Sequence, residues 1–252
     1  MNQGLSESSR TSGREAVCLK TMESKRLKIA VGMPSASEFL HTKFVQCLIA
    51  LEYPPNTDVR FISTLGVQLP FARNYIVSEA LKSHSDYLFF IDVDMTFPPD
   101  ALKRLLEHKL NIVNALAFRR IKPHYPCIFK WNDIEKSYNT MAYYHGLVSV
   151  DATGMSCMLI KMDVFKKMKP PYYYYKDHLF SSDLTWCSNA LKLGYKIWVD
   201  SSLKIGHIGS NQVIDENYYI AHLSPEAKKK WNNGLRGFLN KRARDKELYK
   251  RN

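Results

Sequence analysis

The chain has 252 residues, 45% hydrophobic and 12% aromatic, enough for one sizeable α/β domain with a full core. No apolar stretch approaches the roughly 18–20 residues that cross a bilayer, and the polar stretch 1–26 lacks an apolar signal core, which argues against an inserted or secreted chain. The net charge of +12 favours anionic partners: phosphate-bearing substrates, an acidic membrane surface or nucleic acid.

Residues 1–26 read as a disordered lead-in, with Met22 as an alternative start. Leu27 to Pro34 is a strand stopped by Gly32 and Pro34. Ser35 or Ser37 caps the next helix, on which Leu40, Phe44, Cys47, Leu48 and Leu51 recur at helical spacing. Val59 to Ile62 is a short strand, and Pro70 opens a helix with Ala72, Ile76, Val77 and Ala80 inward. Tyr87 to Ile91 is a strand buried on both faces, and Asn111 to Ala117 another. Strand and helix thus alternate over 27–117, the pattern of a mostly parallel sheet with crossover helices.

From residue 118 the rhythm changes to a basic loop (Arg119, Arg120, Lys122) and short strands near 127–130 and 146–150. Cys157 to Lys161 is a buried strand, and Asp163 is placed to cap a short helix. Asp183 to Leu193 is a helix ended by Gly194, and Tyr195 to Asp200 a strand. Ser224-Pro225-Glu226 starts a helical, basic extension over 211–252. The five cysteines are odd in number and lack CxxC spacing, and Cys47, Cys127 and Cys157 lie in apolar segments, which suits small buried hydrophobes in a reducing cytoplasm.

The densest signal is Asp92-Val93-Asp94 at the end of the strand 87–91. Unpaired carboxylates do not belong inside a core strand, so they must reach its end and meet a partner. In an extended chain Asp92 and Asp94 point the same way, and strand carboxyl ends are where open α/β sheets bind ligands. Paired oxygens there suit manganese or magnesium together with a substrate phosphate.

In order and spacing, residues 27–210 resemble the GT-A-fold glycosyltransferases of the large family-two type, especially short bacterial and phage stand-alone enzymes. The segments carrying the likeness are Val31 to Pro34, Phe71-Ala72-Arg73-Asn74, Phe89 to Asp94, Val150 to Ile160, Ser182 to Cys187, Gly194 to Asp200 and Ile205 to Gly209. The resemblance implies a Rossmann-like domain with a nucleotide-binding half (27–117) and an acceptor half (118–210). It further implies a hexosyltransferase-type enzyme using a nucleotide-diphosphate sugar and a divalent cation, manganese or magnesium.

Residue by residue, Asp94 would ligate the metal, Asp92 would lie toward the ribose or a metal-bound water, and His207 would be a third ligand. Pro34, Arg73 and Asn74 would line the nucleotide site, although Arg73 and Asn74 by themselves read rather as an exposed helix start. Asp183 would be the base of an inverting reaction; where the family has Glu-Asp, this chain has Ser182-Asp183. Taken alone, Asp183 is also a helix N-cap and His207 a structural histidine. The tyrosines 172–175 suit stacking on sugar rings or packing under a loop.

Two other readings stand beside this one. A sugar-phosphate nucleotidyltransferase also places acids at strand ends, but Met33 to Ser37 lacks that class's glycine-rich loop. A non-catalytic module binding nucleic acid or a membrane surface would rest on the charge alone. The acceptor (glycan, lipid, protein or nucleic acid) is left open, and the basic tail makes peripheral attachment to an anionic membrane a further expectation.

Overall fold

The computed structural model describes residues 26–176, 181–209 and 212–234. The first half runs β1 (Leu27–Pro34), α1 (Thr42–Ala50), β2 (Thr57–Thr64), α2 (Leu69–Lys82), β3 (Tyr87–Ile91), β4 (Met95–Thr96), α3 (Ala101–Glu107) and β5 (Ile112–Leu116). Next come β6 (Ile128–Asn132), β7 (Ser137–Thr140), β8 (Leu147–Val150), β9 (Ala152–Thr153), β10 (Cys157–Lys161), α4 (Met162–Lys167) and α5 (Ser182–Lys192). The remainder is β11 (Ile197–Lys204), β12 (Gly206–Ile208), β13 (Val213–Ile214) and α6 (Glu216–Ala221), with a further helical stretch over 225–234.

Seven strands form the central sheet in the order β2-β1-β3-β10-β5-β11-β8. β2, β1, β3, β5 and β11 run parallel, while β10 and β8 run against their neighbours. The result is a mixed, mostly parallel, Rossmann-like α/β sheet. β10 lies between β3 and β5, so the two halves of the chain share one sheet.

β3 explains why helices cover both faces. Its residues alternate sides, yet Leu88, Phe89, Phe90 and Ile91 are all fully buried. Leu88 and Phe90 pack with Ile76 and Val77 of α2 and Phe165 of α4, whereas Phe89 and Ile91 pack with Phe44 of α1 and Leu105 of α3. Gly32 lets α2 close on β1, because a Cβ there would lie 2.6 Å from Ile76 Cγ2.

Several helix starts differ from expectation. α1 is capped by His41, whose Nδ1 accepts from Lys43 N at 3.1 Å, while Ser35 Oγ donates to Ser37 O within the preceding loop. α4 begins one residue before Asp163, which instead pairs with Lys166 at 2.8 Å. α5 is capped by Ser181, which accepts from Leu184 N, so Asp183 in the first turn is not the cap. Gly194 ends α5 with φ +83°, as expected.

The segment Gly206 to Gly209, which carries His207, adds a small second sheet. Gly206–Ile208 is a strand, paired antiparallel with β4 on one side and β13 on the other. Gly206 has no room for a side chain, since a Cβ would overlap Val213 Cγ1 and lie 2.7 Å from Thr96 Oγ1. Gly206→Ala is therefore expected to cost about 1–3 kcal/mol, the usual range for overpacking, and to shift β12. A denaturant midpoint unchanged from wild type would refute this close approach.

The C-terminal elements dock through aromatic contacts. Tyr219 stacks on Phe118 at 5.1 Å, and Trp231 meets Tyr143 edge-on at 5.0 Å. Ser224 accepts from Ala227 N at 3.2 Å at the expected helix start. The rest of the basic tail, like the lead-in up to residue 25, lies outside the described residues. Among those described, no helix is long and apolar enough to cross a membrane. Cys157 and Cys187 are fully buried, and burial pushes the Cys187 thiol up to about 12, an inert state.

Candidate functional site

The site lies beyond the carboxyl ends of β1, β3 and β5. Gly32 pairs with Phe90, which brings Pro34, buried at the end of β1, to the edge where β3 delivers Asp92. Asp92 N donates to Ser156 O at 3.1 Å, just before β10, and fixes the chain there.

Asp92 and Asp94 do not share one side of an extended strand. Val93-Asp94 is a tight turn, closed by Met95 N donating to Asp92 O at 3.2 Å. The two carboxylates therefore diverge: Asp92 faces Arg73, and Asp94 faces His207.

Arg73 is the centre of the first group. It is 1% exposed, not part of an exposed helix start, and lies against the edge-to-face pair of Phe90 and Tyr173, about 6 Å from each centroid. Its Nη1 donates to Asp183 Oδ1, and its Nη2 donates to Asp92 Oδ1 at 3.3 Å. One buried guanidinium thus joins acids from β3 and α5 across 91 residues of sequence.

Asn74 has a different task from the one expected. Its Nδ2 donates to Pro70 O and Tyr173 O, and its Oδ1 accepts from Tyr172 N and Tyr173 N. Both donors and both lone pairs are committed, which leaves nothing for a nucleotide. Asn74 clamps the tyrosine segment onto α2. Tyr173 is core, stacked on Trp186, while Tyr172, Tyr174 and Tyr175 line an open groove of about 900 Å³ with Phe71 and Pro171.

The second group is built by β4 and β12. Their pairing sets His207 opposite Met95, and Ile208 N donates to Asp94 O at 2.7 Å. His207 Nδ1 lies 3.0 Å from Phe118 O, which can only accept, so that nitrogen carries the hydrogen. In the neutral ring Nε2 then turns its lone pair to Asp94 Oδ2, 3.2 Å away. Two electron pairs that close call for a positive charge: a second ring proton, a metal ion, or the guanidinium of Arg120. Arg120 Nη1 lies 3.1 Å from the same oxygen.

The acids are tuned apart. Burial pushes Asp92 above the ordinary carboxylate range against the pull of Arg73, and the Asp94 charge adds to the rise. Burial pushes Asp94 the same way, but the hydrogen bond and charge of His207, with Arg120, outweigh it and hold Asp94 low. Asp94 is the acid kept ionised, as a cation ligand must be.

Among the described residues, no group of three or more His, Cys, Asp or Glu side chains is gathered to hold a metal. The expected set of Asp92, Asp94 and His207 is thus a half-site of two donors, because Arg73 draws Asp92 away. Its spacing fits a cation: bonds of about 2.1 Å at a right angle put donor atoms about 3 Å apart.

No family model matches the chain, and no curated protein is similar to it. Among solved structures it is similar in fold to A197 from STIV, with a TM-score of 0.55 and 14% identity, over 76% of this chain and 91% of that one. The likeness covers most of the α/β domain and bears on the fold alone.

Proposed function

We propose that the chain is a metal-dependent glycosyltransferase of GT-A type. It moves a sugar from a nucleotide-diphosphate sugar to an acceptor hydroxyl, with inversion and Asp183 as general base. One observation carries the reading: Asp92-Val93-Asp94, at the end of β3, joins a carboxylate–imidazole pair through Asp94 and a buried arginine that also holds Asp183 through Asp92. Carboxylate plus imidazole suits manganese better than magnesium, and two protein donors leave positions for water and diphosphate oxygens. A bound cation would supply charge neutralisation for the departing diphosphate.

The protein's own side chains do the rest. Asp94 and His207 fix where the diphosphate end of the donor lies. Arg73 and Ser182 both reach Asp183 Oδ1, so Oδ2 is the oxygen assigned to take the acceptor proton. The aromatic groove beside α2, lined by Phe71, Tyr172, Tyr174 and Tyr175, offers faces for an acceptor.

The test is thermal stabilisation by a panel of uridine, guanosine, cytidine and adenosine diphosphate sugars, with and without manganese. A ligand at 100 times its Kd adds about 2.7 kcal/mol, or roughly 5–10 °C for a chain of this size. One sugar nucleotide is expected to give that shift only with manganese, and Asp94→Asn is expected to abolish it. A shift independent of metal, or one that survives Asp94→Asn, sinks the reading; tight DNA binding with no nucleotide response favours the basic module.

A further inference from the structure

We infer that Arg120 is a built-in counter-ion of the Asp94–His207 half-site, which yields Asp94 to an arriving divalent cation and moves onto the diphosphate. This rests on the transferase reading above. The argument starts from one oxygen: Asp94 Oδ2 is shared between His207 Nε2 at 3.2 Å and Arg120 Nη1 at 3.1 Å. Nδ1 is committed to Phe118 O, so Nε2 is the ring nitrogen that meets this oxygen. Arg120 adds a permanent positive charge at that same oxygen.

Its placement suits a residue that exchanges partners. The side chain is 52% exposed, against 1% for Arg73, so it pivots at little cost while Arg73 does not. It belongs to the loop Arg119 to His124, which is anchored at both ends. Arg119 N donates to Tyr125 O at 3.0 Å, and His124 Nδ1 lies 3.0 Å from Arg119 O. The side chain can thus move while the backbone stays. A metal ion bonded to Asp94 Oδ2 would repel a guanidinium on the same oxygen, whereas the phosphate oxygens arriving with it attract one bidentately. Asp94 thus exchanges one cationic partner for another, and the arriving diphosphate gains an arginine.

Manganese titration of the full chain, followed by electron paramagnetic resonance, tests this without any turnover. Arg120→Gln is expected to bind manganese alone about fivefold more tightly than wild type, the size of a half-exposed ion pair. The same variant is expected to bind manganese pyrophosphate about tenfold more weakly. Arg119→Gln, an exposed neighbour of equal charge, should change neither value beyond twofold. Equal effects of the two variants, or unchanged manganese affinity in Arg120→Gln, overturn the assignment to Arg120 and leave the transferase reading intact. Absence of manganese binding in wild type and in Arg120→Gln overturns both, since the exchange then has no incoming cation.

Discussion

Asp183→Asn is expected to lower transfer about 10²–10⁴-fold, the range that a positioned general base contributes, while manganese-dependent nucleotide-sugar binding stays within about twofold. The substitution is close to isosteric. An asparagine oxygen still accepts from Arg73 Nη1 and from Ser182 Oγ, which both reach Oδ1 in wild type. What disappears is the charge and the basic oxygen. The donor half of the site is built on other elements: Asp94 and His207 are held by β4 and β12, and their side chains bond to each other, to Phe118 O and to Arg120. Single-turnover transfer and the manganese-dependent thermal shift should therefore separate, the first collapsing and the second surviving. Transfer at more than a third of the wild-type rate would remove Asp183 from the mechanism. Loss of the thermal shift would make it a donor-binding residue.

Much of the frame was legible because it rests on local rules. The apolar run 87–91 announced a doubly buried strand, and glycine and proline marked its neighbours' ends. Asp92 and Asp94 were legible as acids needing partners, but not their divergence, because the turn at Val93-Asp94 depends on β4 pairing with β12 some 110 residues away. The same pairing turned Gly206 to Ile208 into a strand. Asn74 was misread for a similar reason: all its distant partners lie 98 or 99 residues on, in the tyrosine segment.

Arg73 is different, because a local signal did exist. It stands three, four and seven residues before Ile76, Val77 and Ala80, on the stripe of α2 that faces the core. An arginine on an apolar stripe at a helix start is an inward arginine, and such a residue needs carboxylates. Arg73 thus points to Asp92 and to a second acid. The three are one device: Asn74 holds the Tyr173 backbone, the Tyr173 ring supports Arg73, and Arg73 orients Asp183.

Arg73→Met is accordingly expected to cost about 3–5 kcal/mol of unfolding free energy, the range for removing one partner of a buried ion pair. Methionine keeps most of the volume against Phe90 and Tyr173, so the loss reports charge more than packing. Asp92 and Asp183 would be left with side chains only 26% and 17% exposed and without their shared cation. The pH dependence separates the causes. In wild type Arg73 opposes the upward push of burial on Asp92, so without it that carboxyl rises further above its unfolded value of about 3.9. A folded state that binds the proton more tightly than the unfolded one loses stability as pH rises through the shifted range. The deficit of Arg73→Met should therefore be larger at pH 8 than at pH 5 in urea unfolding. A second replacement, Asp183→Asn, should restore part of it, because the double variant leaves one buried carboxylate fewer without a partner. A deficit below 1 kcal/mol, or one independent of pH and of Asp183, would show that Arg73 is held by its aromatic neighbours and does not pin the acids.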